Sequence, residues 1–159
     1  MKTAFALITL ILTAAAAELP LPQGTYFSFN PPQDEIRNLY AQCDVWLTAS
    51  RAEGFNLPAL EAMACRTPVV STRTGWPEEA VRTGWNGVLV DVEDLSGLVK
   101  GVASILSSSQ QDWQSLSAHA FETAASISWE QSSAMFEQAL RHACLRAQNG
   151  EVGGTPSAV

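Results

Sequence analysis

The sequence predicts an α/β fold, a parallel sheet with helices on both faces and extra helices toward the carboxyl end. Three observations carry that expectation. Short apolar runs alternate with stretches of helical periodicity. Gly, Pro and Asn stand at the junctions, and two long apolar helical stripes follow the last short run.

The elements follow in chain order. Met1-Lys2 precedes an uncharged run from Thr3 to Ala17 that ends Ala15-Ala16-Ala17. It reads either as a signal peptide or, at Phe5–Leu12, as a buried strand remnant. It is too short and too alanine-rich at its end to make a firm membrane span. Leu19–Gly24 is a linker by its proline and glycine content, so residues 1–24 form a segment apart. Tyr26–Phe29 is a strand stopped by Asn30-Pro31-Pro32. Asp34 caps a helix running through Cys43, with Ile36, Leu39, Tyr40 and Cys43 inward.

Asp44–Leu47 is the next strand, Val69–Ser71 another, Glu78–Arg82 a short helix, and Val88–Val90 a strand led by an Asn86-Gly87 turn. Helices are expected over 95–106, 111–125 and 129–146. Trp113, Leu116, Ala120 and Phe121 form one stripe, and Met135, Phe136, Leu140 and Cys144 another. Both are read as core. His119 and His142 lack metal-ligand spacing, and three cysteines cannot all pair. The domain is expected over 25–146, with a polar, glycine-rich disordered tail at 147–159.

The chemistry concentrates in Glu53-Gly54-Phe55-Asn56-Leu57-Pro58-Ala59-Leu60-Glu61. Pro58 suits the first turn of a helix, where a missing N–H has no partner to lose. Leu57, Leu60, Ala64 and Met63 then recur at the spacing of a buried face. Gly54 permits positive φ or close approach of a ligand. The N–H groups of Phe55, Asn56 and Leu57 point forward at the positive helix end, a ready anion site. Glu53 and Glu61 flank it, and a carboxylate accepts hydrogen bonds, so both should bind hydroxyl groups. Each such bond is worth on the order of 1.5–3 kcal/mol. A ligand with a diphosphate between two polyhydroxylated ends, a nucleotide sugar, matches that order of groups. For two isolated glutamates the plainer alternative is a solvated helix residue and a charge near a helix N-terminus.

Taken with Thr67-Pro68-Val69-Val70, the stretch Glu53–Cys65 resembles the E-x7-E signature of retaining glycosyltransferases built from two Rossmann-like lobes, the GT-B fold. It is most similar to the glycosyl transferases group 1 (family four). The likeness extends back through Leu39–Val45 and forward through Gly75, Pro77–Glu79, Asn86–Val90, Asp94-Leu95 and Ser128–Glu130, covering roughly residues 25–145. It implies that Glu53 contacts the transferred sugar and acts as the catalytic carboxylate. Gly54, Phe55, Asn56 and Leu57 would hold the sugar and diphosphate, and Glu61 the ribose hydroxyls. It implies a sugar transfer with retention, no metal and no cofactor beyond the nucleotide diphosphate sugar as donor substrate. Asn56 and Trp76 stand where the family often has glycine.

The family's length makes 159 residues the later part of a donor-binding lobe, with the acceptor lobe and the Arg/Lys pair of the opening turn expected elsewhere. A net charge of −7 argues against a nucleic-acid partner and leaves an anionic donor to local amides and to Arg51, Arg66 or Arg73. Weak donor binding is expected. Because nucleotide sugars are used mainly inside cells, the strand-remnant reading and a cytoplasmic location are preferred, with secretion the alternative. Self-association through an unpaired sheet edge is expected. Two other classes remain open: a nucleotide-sugar-binding module or subunit completed by a separate acceptor lobe, and an inactive fragment.

Overall fold

The computed structural model describes residues 23–25, 28 and 30–151. The signal-like or strand-remnant run, the end of the tail and, apart from Ser28, the expected strand at Tyr26–Phe29 lie outside them. The chain divides into two compact units between Ala125 and Ser126.

The first unit runs α1 (Gln33–Ala41), β1 (Trp46–Thr48), α2 (Leu57–Ala64), β2 (Val69–Thr72), α3 (Trp76–Ala80), β3 (Gly87–Val90), α4 (Leu95–Leu106) and α5 (Gln110–Ala125). The three strands form one parallel sheet in the order β1-β2-β3. Trp46 pairs with Val69, and Val69 with Gly87. Every described helix but α1 and α3 begins within one residue of where the sequence places it. Asp34 does not cap α1: Pro32 holds the cap position, and Asp34 lies in the first turn, where its charge still meets the positive end. Pro77 sets α3 two residues earlier than expected, because proline fits a helix opening.

Side chains alternate across the strands, so the sheet has two buried faces. On one, Trp46 and Val69 pack with Tyr40 and Cys43, with Ala59, Ala62 and Met63 of α2, and with Ala120 and Ala124 of α5. On the other, Val45, Val70 and Val90 meet Leu98 and Ile105 of α4, with Trp113 and Leu116 packed alongside. Val69 and Val70 are fully buried and face opposite ways. Each contributes about 1.5–3 kcal/mol by leaving water. Thr67 Oγ1 donates to the Tyr40 carbonyl at 2.7 Å, and Trp113 Nε1 to that of Asp44 at 2.7 Å, whereas the buried Trp46 Nε1 has no acceptor.

The expected turn leads into β3 at Asn86-Gly87, and both residues are buried. The Asn86 amide is buried, accepting from Arg82 N and donating to the Ala80 carbonyl and Thr123 Oγ1. Gly87 lies against β2 so closely that a Cβ there would overlap the Val69 carbonyl. The outer side of β3 is partly covered, since Thr83 Oγ1 accepts from Leu89 N and Gly84 N donates to the Gly87 carbonyl.

The second unit holds α6 (Trp129–Gln148), capped by Ser128 Oγ, which accepts from Gln131 N at 3.2 Å. Its stripe is not core. Met135, Phe136, Leu140 and Cys144 are all exposed, because α6 buries none of its residues. The helix ends on a left-handed Gly150, with Gly150 N and Glu151 N donating back to the carbonyls of Ala147 and Arg146. No described helix is long and apolar enough to cross a membrane.

Gly87→Ala should lower stability by about 1–3 kcal/mol, since backbone cannot yield as a side chain does. A drop in the urea midpoint with unchanged slope would show it. Alkali supplies a second measurement. Burial raises the Cys43 thiol from 9.0 to about 11, so the fold prefers the neutral form. That stabilisation is complete below pH 9.0 and is lost as pH rises through about 11. The urea midpoint should therefore fall across that window, and less steeply in Cys43→Ala.

Candidate functional site

The carboxyl ends of β1, β2 and β3 open onto three loops, the edge where parallel α/β sheets take their ligands. The loops are fastened to one another. Thr72 Oγ1 donates to the Ser50 carbonyl at 2.6 Å, joining the second loop to the first. Arg73 N donates to the Val90 carbonyl at 2.8 Å, and its guanidinium pairs with Asp91 at 3.1 Å. Arg51 meets Glu93 at 3.2 Å.

Within the first loop Asn56 takes the left-handed conformation, at φ 76° and ψ 61°. The reading of the sequence gave that freedom to Gly54. Gly54 instead has ordinary φ and no heavy atom near where a Cβ would stand, so its surroundings are open rather than turned. Asn is among the few side chains that tolerate this backbone region. Its amide is buried, donating from Nδ2 to Thr48 Oγ1 at 2.9 Å and accepting at Oδ1 from Ala59 N at 3.3 Å. One side chain thus ties the end of β1 to the first turn of α2. Asn56 is thereby the cap of α2.

Of the face expected on α2, Met63 is buried and Leu60 packs half-buried against the core, while Ala59 and Ala62 are buried and Leu57 and Ala64 are not. Leu57 is 57% exposed, and Ala64 is exposed too. Small alanines let α2 approach the sheet, so the stripe is narrower and rotated from the leucine spacing. Among the described residues, the N–H groups of Gly54, Phe55, Asn56 and Leu57 have no acceptor within the protein. They form a short row of donors at the positive end of α2.

Glu53 is exposed and accepts from Ser50 Oγ at 2.5 Å. Glu61 is also exposed, four residues beyond Leu57 and so on the same side of α2. Its Oε2 accepts from the Tyr40 hydroxyl at 2.9 Å. Burial and the Glu61 carboxylate push the Tyr40 phenol well above its usual range, so it stays a donor. Sequence reasoning placed Tyr40 on the inner face of α1 only. It lies 21 residues from Glu61, and no linear spacing signals their pairing.

The loop has a second wall. Gly75, at φ 60°, passes so close that a Cβ would sit 2.9 Å from the Phe55 carbonyl oxygen and 3.0 Å from Glu53 Cβ. Trp76 N donates to that carbonyl at 2.8 Å, and the Trp76 ring stacks on Phe55 at 5.7 Å, 12° from parallel. Trp76 therefore clamps Phe55.

Of the three arginines expected nearby, Arg51 and Arg73 lie in these loops but already face acidic partners. Arg66 does not belong to the site. It follows the opposite end of α2, with its guanidinium 4.4 Å over the Phe121 ring. Exposed pairs of this kind contribute about 0–1 kcal/mol and leave the cations only partly committed. Two hollows of about 360 and 420 Å³ flank β3 and α4 and include neither glutamate. His119 lines the first, stacked on Trp85 at 4.5 Å and bonded to its carbonyl, which is a packing role. No group of three His, Cys, Asp or Glu among the described residues could hold a metal ion.

The family model for glycosyl transferases group 1 matches residues 12–124. The chain belongs to that family. A D-inositol 3-phosphate glycosyltransferase from Corynebacterium urealyticum is 36% identical over 119 residues, 75% of this chain and 28% of that protein. The C-terminal domain of a Francisella tularensis glycosyl transferase group 1 protein superposes with a TM-score of 0.57 at 28% identity, covering 63% of this chain and 51% of that one. Anabaena HepE in complex with UDP-glucose gives 0.60 at 27% identity, over 69% and 30%. The parallel sheet and flanking helices are thus the C-terminal part of a GT-B glycosyltransferase group 1 fold. The chain spans less than a third of the curated relatives it matches.

Gly75→Ala tests the close approach in this glycosyltransferase fold. It should cost about 1–3 kcal/mol, from the left-handed φ and the overlap with Phe55. Faster hydrogen exchange at Trp76 N–H, with the sheet amides unaffected, would locate that loss in the clamp.

Proposed function

We propose that this chain supplies the donor-binding half of a retaining, nucleotide-sugar-dependent glycosyltransferase. The carrying observation is the row of unpartnered amides at Gly54–Leu57 between two exposed carboxylates. Amide donors at a helix N-terminus suit a diphosphate. Glu61, at one end, accepts from the ribose hydroxyls. Glu53, at the other, accepts from the transferred sugar. As the bond from the anomeric carbon to the diphosphate breaks, negative charge grows on the phosphate, and the fixed amides stabilise it without reorganising. Arg51 and Arg73 can turn from Glu93 and Asp91 toward the same charge at small cost. The reading calls for no metal ion. A UDP-glucose complex in the similar HepE supports this class of donor.

An acceptor-binding lobe is required for turnover, from the same or another polypeptide, and donor binding alone is the function assigned to this half. Calorimetry with UDP, GDP and ADP and their glucose conjugates tests it. One nucleotide should bind, and Glu61→Ala should weaken it about tenfold or more. Glu53→Ala should spare the nucleotide and erase the added affinity of the sugar conjugate. No heat with any of them at millimolar concentration, or equal affinity in Glu61→Ala, would refute the reading.

A further inference from the structure

We infer that Tyr40 is a positioning residue for Glu61, holding that carboxylate in the orientation that accepts a ribose diol. This rests on the donor-binding reading above and adds to it a residue from outside the glycine-containing loop. The Tyr40 hydroxyl donates to Glu61 Oε2 at 2.9 Å. The phenol cannot swing freely, because Tyr40 is 7% exposed and its ring packs edge-to-face with Trp46 at 4.7 Å and 67°. Its backbone is fixed as well, since the Tyr40 carbonyl accepts from Thr67 Oγ1 at 2.7 Å, just beyond α2. The anchor is therefore part of the core, while the group it holds is at the surface.

An exposed glutamate on a helix samples several rotamers and loses that freedom when it binds a ligand. Tyr40 removes much of the loss in advance. It occupies one of about four lone-pair directions of the carboxylate, and the others remain for two ribose hydroxyls. Raised by burial and by Glu61 itself, the phenol keeps its proton throughout the neutral range and remains a donor. Phenylalanine would keep the packing against Trp46 and lose the tether. An affinity loss of about two- to tenfold follows from one side chain left to be immobilised on binding.

The experiment measures binding of the nucleotide diphosphate that the chain prefers among UDP, GDP and ADP, and of its 2′-deoxy counterpart. Wild type, Tyr40→Phe, Glu61→Gln and the double variant are compared. Tyr40→Phe should weaken the ribonucleotide about two- to tenfold and leave the 2′-deoxy form less affected, so that their ratio shrinks. In the Glu61→Gln background, Tyr40→Phe should have a smaller effect, because the carboxylate it orients is gone. The ratio is read within one sample, so a partly unfolded variant does not distort it. If wild type binds and Glu61→Gln weakens binding while Tyr40→Phe keeps the full ribose preference, the positioning role is overturned and the donor site stands. If wild type binds none of the three, both fall.

Discussion

The left-handed backbone at Asn56 is the constraint on which the site depends. A chain leaving β1 must reverse and start a helix within a few residues, and its amides must face outward as it does so. Asn56 makes that turn at φ 76° while its buried amide bonds both Thr48 and Ala59 N. Any residue with a branched Cβ would resist the conformation, and a glycine would adopt it without bonding anything. Those two hydrogen bonds let a residue with a side chain replace glycine there. They also leave the amide groups before and after it without protein acceptors.

Around that turn the fold sets the second loop as a wall. Gly75 and Trp76 press on Phe55 from the end of β2, and Thr72 reaches back to Ser50. These contacts depend on the parallel pairing of β1 with β2, since only adjacent strands end close enough for their loops to interlock. The packing beneath follows the same logic. Alanines on α2 bring its axis close to Trp46 and Val69, and a bulkier face would lift the amide row from the strand ends. Site and core are thus one structure. The membership in glycosyl transferases group 1 agrees with this arrangement.

Legibility in the sequence varied by the kind of contact. Strands β1, β2 and β3 were readable because each is a short apolar run between breakers, and α4, α5 and α6 because they are long. The stripe on α6 was misread as core: an apolar period marks a face, but not whether anything covers it, and there Met135 and Phe136 are exposed. On α2 Met63 and Leu60 were read rightly, but Leu57 is exposed and Ala59 and Ala62 are buried, because closeness to the sheet selected small side chains. Asn86-Gly87 was legible as the turn before β3, but not that Asn86 is a buried hub and Gly87 a point of backbone contact.

By itself the sequence determined the order of strands and helices, the two glutamates with seven residues between them, and the proline that opens α2. Those are local matters, set by dihedral preference, periodicity and spacing along the chain. Only the tertiary structure decided that Tyr40 meets Glu61, that Trp76 stacks on Phe55, and that Arg66 faces Phe121 instead of the site. Such pairings join segments distant in sequence. They depend on how closely helices settle on a sheet, and no run of neighbouring residues encodes that distance.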